Sequence, residues 1–328
     1  MLILAGLLGM VALGSFMLVE PTSGSDESDD TNTFDEVDGS GESVEEDDVL
    51  PDTDFLSFID EDGIKQTLEN EVTQSDDLLI GSTGSDEIEA QNGDDFVLAR
   101  DGDDTIDGGD GNDVLHGNEG ADDLSGNEGL DELHGEQGDD LLNGQSGADT
   151  LFGNIGADHL IGGTGDDNLV GGEGNDALWG DEGNDTLVAN EGADTLDGGS
   201  GQDLLMAGAG SDILNGIEDG EQSADFLNGG DGDDTILAGA GDQVSGGDGA
   251  DTTILSEDMP RHAQIWDFES GLDTLVVLYD GDEEIPEIDI SENPDAAGRW
   301  IIHADGETVA HITGDVPTQA DISLIARS

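Results

Sequence analysis

From Gly81 to Asn215 an aliphatic side chain returns at every ninth residue, from Ile88, Val97, Ile106 and Leu115 onward to Leu214. A short strand centred on each would turn that side chain inward and its two neighbours outward. If the aliphatic is given place eight, place four is glycine in all fifteen consecutive nonapeptides, Gly84 to Gly210, and place six is always aspartate. One aliphatic in nine residues cannot build a core alone, but stacked coils align it into a continuous ladder. The six remaining residues must reverse the chain, and glycine tolerates the positive φ that such a reversal demands. Asn118, Asn127, Asn154 and Asn190 at place two meet the same need, because asparagine also visits the left-handed region. The pattern predicts an all-β stack of parallel coils.

The aspartates are the costly part of that stack. Parallel coils lie about 4.8 Å apart, so equivalent carboxylates on one edge would form a column of like charge. A hard divalent cation resolves the conflict: Ca²⁺ takes carboxylate and main-chain carbonyl oxygens, and glycine-rich turns expose such carbonyls. With two repeats per coil, repeats i and i+2 share an edge and can grip one ion. The expected ligands are Asp86, Asp95, Asp104, Asp113, Asp122, Asp131, Asp140, Asp149, Asp158, Asp167, Asp176, Asp185, Asp194, Asp203 and Asp212. Asp225, Asp234 and Asp251 join them from the less regular repeats that follow.

Units such as Gly108-Gly109-Asp110-Gly111-Asn112-Asp113-Val114-Leu115-His116 spell G-G-x-G-x-D-x-U-x. The chain resembles the repeats-in-toxin (RTX) family of calcium-binding repeats over roughly half its length. That resemblance implies a right-handed parallel β-roll loaded with several Ca²⁺ ions. Downstream, Ile265-Trp266-Asp267-Phe268-Glu269-Ser270-Gly271-Leu272-Asp273 resembles the I-x-D-F-x-x-G-x-D segment that closes the rolls of serralysin-like proteins. The likeness implies a small C-terminal β cap that nucleates folding, and a C-terminus able to carry a secretion signal. Ile322-Ser323-Leu324-Ile325 is the candidate for that signal, although a last strand suits these residues better.

Four segments follow. Residues 1–19 hold the uncharged run Leu2–Val19, read as an N-terminal membrane anchor or a signal peptide, with a buried helix as the third reading. Residues 20–75 are rich in Asp, Glu, Ser, Thr and Gly and read as an acidic disordered linker. Its apolar island Phe55–Ile59 precedes Asp60, Asp62 and Gly63, which lack the later ligands of an EF-hand loop. The roll occupies 76–254. Gly216–Asn228 carries four extra residues, expected to bulge from one turn; Ala238–Ser245 is one residue short, and Thr253 stands where an aliphatic belongs. The cap, 255–328, is expected to form strands at Ala263–Phe268, Thr274–Tyr279, Arg299–His303 and Val309–Thr313.

Composition narrows the function. The 328 residues hold 83 Asp+Glu against 5 Lys+Arg, a formal charge of -78. Such a chain repels nucleic acid and anionic membranes, so no nucleic acid partner is expected and the membrane is met only through the N-terminal segment. Aromatic residues are only 4%, too few for an ordinary core of this length, so the ions must contribute what apolar burial does not. Cysteine is absent, none of the six histidines lies in H-E-x-x-H, and no serine lies in G-x-S-x-G. The reading is a non-catalytic, extracytoplasmic calcium-binding protein, secreted or tethered at the cell surface. The alternatives are an adhesin or matrix protein using the roll as a rigid spacer, with a cell-surface or matrix partner, and the non-catalytic module of a secreted enzyme system.

Eighteen-residue coils also sort place nine into two columns. One reads Leu98, His116, His134, Phe152, Val170, Val188, Met206; the other reads Glu89, Asp107, Ser125, Asn143, Ile161, Trp179, Asp197, Asn215. The first is the more apolar. It is read as a contact face for a partner, a second copy or the cap, and His116 next to His134 there admits a transition-metal site.

Overall fold

The computed structural model describes residues 56–58, 74–217, 223–256, 261–281 and 284–327. Expectations for residues 1–19 lie wholly outside them, as do those for most of 20–75. All described residues belong to one compact unit, Asp52–Ser328.

Each nonapeptide contributes one strand, and successive strands alternate between two parallel sheets. In one sheet Val114–Glu119 lies between Phe96–Asp101 and Glu132–Gln137; in the other, Thr105–Asp110 pairs with Asp123–Gly129. Equivalent residues are eighteen apart, as in Leu115↔Leu133 and Leu133↔Leu151. A coil therefore consists of two repeats. The place-eight side chains Ile88, Ile106, Leu115 and onward to Leu214 are all buried to within 1%.

The strands are longer than the three residues expected. Val114–Glu119 runs through places seven, eight and nine and on into places one, two and three of the next unit. Alternation then turns place one inward as well, which puts Ala90, Ala99, Ala189, Ala207 and Ala238 in the core beside the aliphatic ladder. Otherwise place one is glycine, where an added Cβ would run into the following place-six carboxylate, as Gly108 would into Asp113 Oδ2. Place two takes positive φ where predicted (Asn118 82°, Asn127 78°, Asn154 76°, Asn190 82°), and also at Arg100, Glu136 and Gln145.

Irregular repeats are absorbed without loss of pairing. Leu204 pairs with Phe226, a step of 22 that places the four extra residues in one turn; residues 218–222 there lie outside those described. Phe226 then pairs with Gln243, a step of 17 that takes up the missing residue. Thr253 fills its aliphatic place while buried, between Ile236 and Leu275.

The stack reaches past the nonapeptides at both ends. Leu56–Phe58 pairs in parallel with Leu78–Ile80, which pairs with Phe96–Asp101. At the other end Ala263–Phe268 and Thr274–Asp280 continue the two sheets, from Gln243–Asp248 and Thr252–Ser256 respectively. The hairpin Arg299–Ala304 and Glu307–Gly314, with Ile288–Glu292 beside it, closes one sheet; Ile322–Arg327 closes the other. The sequence reading missed Ile288–Glu292, whose short run of alternation is broken by a charge. Because the cap continues the sheets end-on, it does not lie across the place-nine column.

Candidate metal centre

The place-six aspartates do not stand on an outer edge. Every one expected from the sequence is buried, with exposures of 0–4%. From Asp95 and Asp104 onward each carboxylate turns into the corner of its coil, where Oδ1 accepts the amide N–H of the aspartate one coil before, while Asp86 accepts from Ser82 instead. Asp95 N–H donates to Asp113 Oδ1 at 2.8 Å, and Asp113 N–H to Asp131 Oδ1 at 2.8 Å. On the other side, Asp104 donates to Asp122 and Asp122 to Asp140, each at 2.8 Å. Two columns of buried carboxylates thus run the length of the roll.

In most of the columns only half of the carboxylate is satisfied, whereas Asp86 Oδ2 accepts from the Ser82 amide and Asp242 Oδ2 from the Gly239 amide. Oδ2 is buried without a hydrogen-bond partner in Asp95, Asp104, Asp113, Asp122 and ten successors along the columns, the eight from Asp131 to Asp194 with Asp212 and Asp234; Asp251 shares the defect. Burial is the main force that pushes their acidity down, the single main-chain N–H offsets part of it, and neighbouring carboxylates add to the shift. Asp122, Asp131, Asp158 and Asp185 are raised to about 7. Asp95, Asp104, Asp140, Asp167, Asp194, Asp234 and Asp251 are raised to about 6. Ionising carboxylates this buried is costly, and a counter-charge against them would offset that cost.

The surroundings of the orphan oxygen are oxygen-rich. A Cβ added to Gly144 would meet both Asp149 Oδ2 and the Gly162 carbonyl oxygen of the next coil. Carboxylate and carbonyl therefore crowd one small space with no donor between them. Among the described residues, no three His, Cys, Asp or Glu side chains converge. A donor set of paired carboxylates and main-chain carbonyls suits Ca²⁺ and poorly suits a transition metal. The residues present fit calcium.

The family profile of the RTX calcium-binding nonapeptide repeat matches residues 73–106, 98–132, 116–151, 125–160, 152–187, 179–214 and 219–253. Together these spans cover more than half of the 328 residues.

The chain belongs to the RTX repeat family.

RTX repeats bind several calcium ions, and this RTX chain forms an all-β parallel solenoid with a small C-terminal cap. No curated protein matches the chain. Among solved structures it is similar to a hyperactive, Ca²⁺-dependent, β-helical antifreeze protein from an Antarctic bacterium, at 23% identity over 67% of this chain and 80% of that one, TM-score 0.40. It is also similar to the extracellular lipase LipA from Serratia marcescens, at 17% identity over 70% of this chain and 41% of that one, TM-score 0.21. Neither superposition is close enough to bear on function.

Sequence reasoning passed over three members of the RTX columns. Asp242 is fully buried and its Oδ1 accepts from Asp225 N–H at 3.0 Å. The run Asp242-Gln243-Val244 keeps the D-x-U spacing, a signal hidden by the deleted residue. Asp77, in Asp77-Leu78-Leu79, begins one column by donating to Asp95. Asp273 ends the other by accepting from Asp251 at 3.1 Å. Asp267, earlier in the closing segment, caps a turn instead, taking hydrogen bonds from Ser245 and from the Gly246 and Gly247 amides.

His116 and His134 do meet, ring on ring at 4.6 Å and 4°. Their nitrogens point to different carboxylates, His116 Nδ1 to Glu136 and His134 Nε2 to Glu132. They form a stack that continues to Phe152 at 4.8 Å. The two rings share no metal-binding point.

Proposed function

We propose that the chain is an extracytoplasmic, non-catalytic calcium-binding protein whose place-six aspartates, Asp86 to Asp251, hold ions between successive coils and whose roll forms only with those ions. The orphaned Oδ2 atoms carry this reading. Some fifteen buried carboxylates with one free oxygen each oppose the coiled state in their charged form. A bound Ca²⁺ would supply positive charge and coordinate Oδ2, while the protein supplies position: Oδ1 is tethered by the main chain and Oδ2 is aimed at the neighbouring carbonyl. Where calcium is scarce the acids repel and the chain stays expanded; near millimolar calcium, the range of extracellular modules, it coils. No basic residue follows the uncharged run Leu2–Val19 until Lys65, which supports an outside location for the acidic body.

Far-ultraviolet circular dichroism across a Ca²⁺ titration tests this, starting in excess chelator with Mg²⁺ as control. A cooperative rise of β signal with Ca²⁺ alone is expected. A full β signal in chelator at neutral pH would overturn the coupling of binding to folding.

A second reading, an adhesin or matrix spacer, is favoured by the apolar column. His116, His134 and Phe152 stack and are followed in register by Val170, Val188 and Met206. Under it, Val170→Asp combined with Val188→Asp abolishes self-association or retention on matrix; wild-type behaviour of that variant removes this reading.

A further inference from the structure

The cap carries a recess unlike any surface of the roll. It has a volume of about 280 Å³ and is lined by His262, Gln264, Trp266, Arg299, His311 and Thr313. These residues come from three adjacent strands or their ends: Gln264 is opposite His311, and Arg299 is opposite Thr313. No Asp or Glu lines it, in a chain with 83 of them. One of the chain's five Lys+Arg residues and two of its six histidines converge there instead.

The basic groups are not spent on the protein's own acids. Arg299 lies 5.9 Å from the Trp266 ring centre and has no carboxylate within ion-pair distance among the described residues. His262 Nδ1 is buried without a hydrogen-bond partner. The His262 and His311 rings are 5.5 Å apart. Burial first, and then the neighbouring His262, His303 and Arg299, hold the His311 imidazole below its ordinary value. A guanidinium beside these rings opposes a bound cation and favours an anion.

We propose that this recess binds a compact oxyanion, a carboxylate or sulfate-type group, with Arg299 as charge partner and His262, His311, Gln264 and Thr313 as hydrogen-bonding partners. Trp266, 40% exposed, offers a flat apolar wall that suits the ring of an acidic sugar carrying such a group. The net charge of the chain does not forbid it, because at physiological ionic strength charges beyond about 8 Å are screened.

The test titrates the full calcium-loaded chain with sodium sulfate and separately with glucuronate, reading tryptophan fluorescence against glucose and matched sodium chloride. Saturable binding is expected, weakened about tenfold or more in Arg299→Gln and in His311→Gln. Arg100→Gln, in the roll, is the control and binds as wild type; Gln91 and Gln145 already occupy the same place in other repeats. Calcium-induced circular dichroism confirms that each variant is folded, and His311→Gln decides the matter if Arg299→Gln is not. Tighter binding of glucuronate than sulfate identifies a sugar-borne anion, and equal binding identifies a free one; both support the site. No saturable signal with either anion overturns the proposal, as does equal binding by wild type and both recess variants.

Discussion

The roll and the cap each bury aspartate, and they treat it in opposite ways. In the roll Asp158 is fully buried, has one hydrogen bond at Oδ1 and an orphaned Oδ2, and is raised to about 7. In the cap Asp321 is 6% exposed, and burial alone would raise it too. Hydrogen bonds from the Thr318 amide and hydroxyl, the Ser270 hydroxyl and the Gly271 amide outweigh burial and hold it below its ordinary value. The cap satisfies its acid with its own donors. The roll leaves most of its carboxylates half satisfied, so it needs something from outside.

The glycines divide along the same line and give the largest expected effect. Gly147 has φ +150° and a Cβ there would overlap the Gly129 carbonyl of the preceding coil. Because the coils are stacked on both sides the backbone cannot yield, and Gly147→Ala should cost more than about 3 kcal/mol. Gly298 in the cap has φ +76° with nothing within 4 Å of an added Cβ. Gly298→Ala should cost only about 1–2 kcal/mol, the left-handed penalty itself. Thermal melts in saturating calcium compare the two; equal losses would mean that coil stacking does not confine the roll.

Next come the acids themselves. Under the proposed function Asp158→Asn removes a calcium-ligating carboxylate, so calcium affinity there should fall about tenfold or more. The same change removes a buried charge, so the calcium-free coil should become easier to form. Asp321→Asn should instead destabilise by about 1–3 kcal/mol whether or not calcium is present. Denaturant melts with and without chelator read both signs, and a loss at Asp158 that ignores calcium would break the contrast.

Proton binding is the third lever. Eleven roll aspartates are raised to about 6 or 7 from an ordinary 3.8, so protonation favours the calcium-free coil. Their stabilising contribution is complete below pH 3.8 and is lost as pH rises through 6 to 7. Asp321 has the reverse sign: its contribution is present above 3.8 and is lost as pH falls below it. In chelator, acidification from above 7 toward 4 should therefore raise β signal, and circular dichroism that stays flat over that window would contradict the inward carboxylates. At the small end, Val170→Asp lies on a strand surface and should change calcium-driven folding by no more than about 0.5 kcal/mol.

Much of this was legible in the residues. A nine-residue period with a single apolar place leaves a strand one inward side chain, and fifteen copies have no way to bury it except against one another. That argument yields the ladder from Ile88 to Leu214, the turn glycines and the conflict of stacked aspartates; the two-repeat coil entered it as an assumption, and the pairing of residues eighteen apart bears it out. The strands Ala263–Phe268 and Thr274–Asp280 were readable, the second to within one residue, as short apolar runs separated by the turn at Glu269-Ser270-Gly271. Asp242 was concealed because a deletion breaks the count, although its D-x-U spacing survives.

Other features belong to the tertiary structure. A period says which residues are equivalent but not which way a side chain in a turn points. The coil geometry decided that place six faces inward and that place one joins the core. Long-range pairing decided that Ile322–Arg327 seals one sheet and that Arg299, His262 and His311, from separate stretches of the cap, line one recess. Local pattern carries no information about such meetings, because they depend on which strand lies beside which, and in the cap no repeat remains to dictate it.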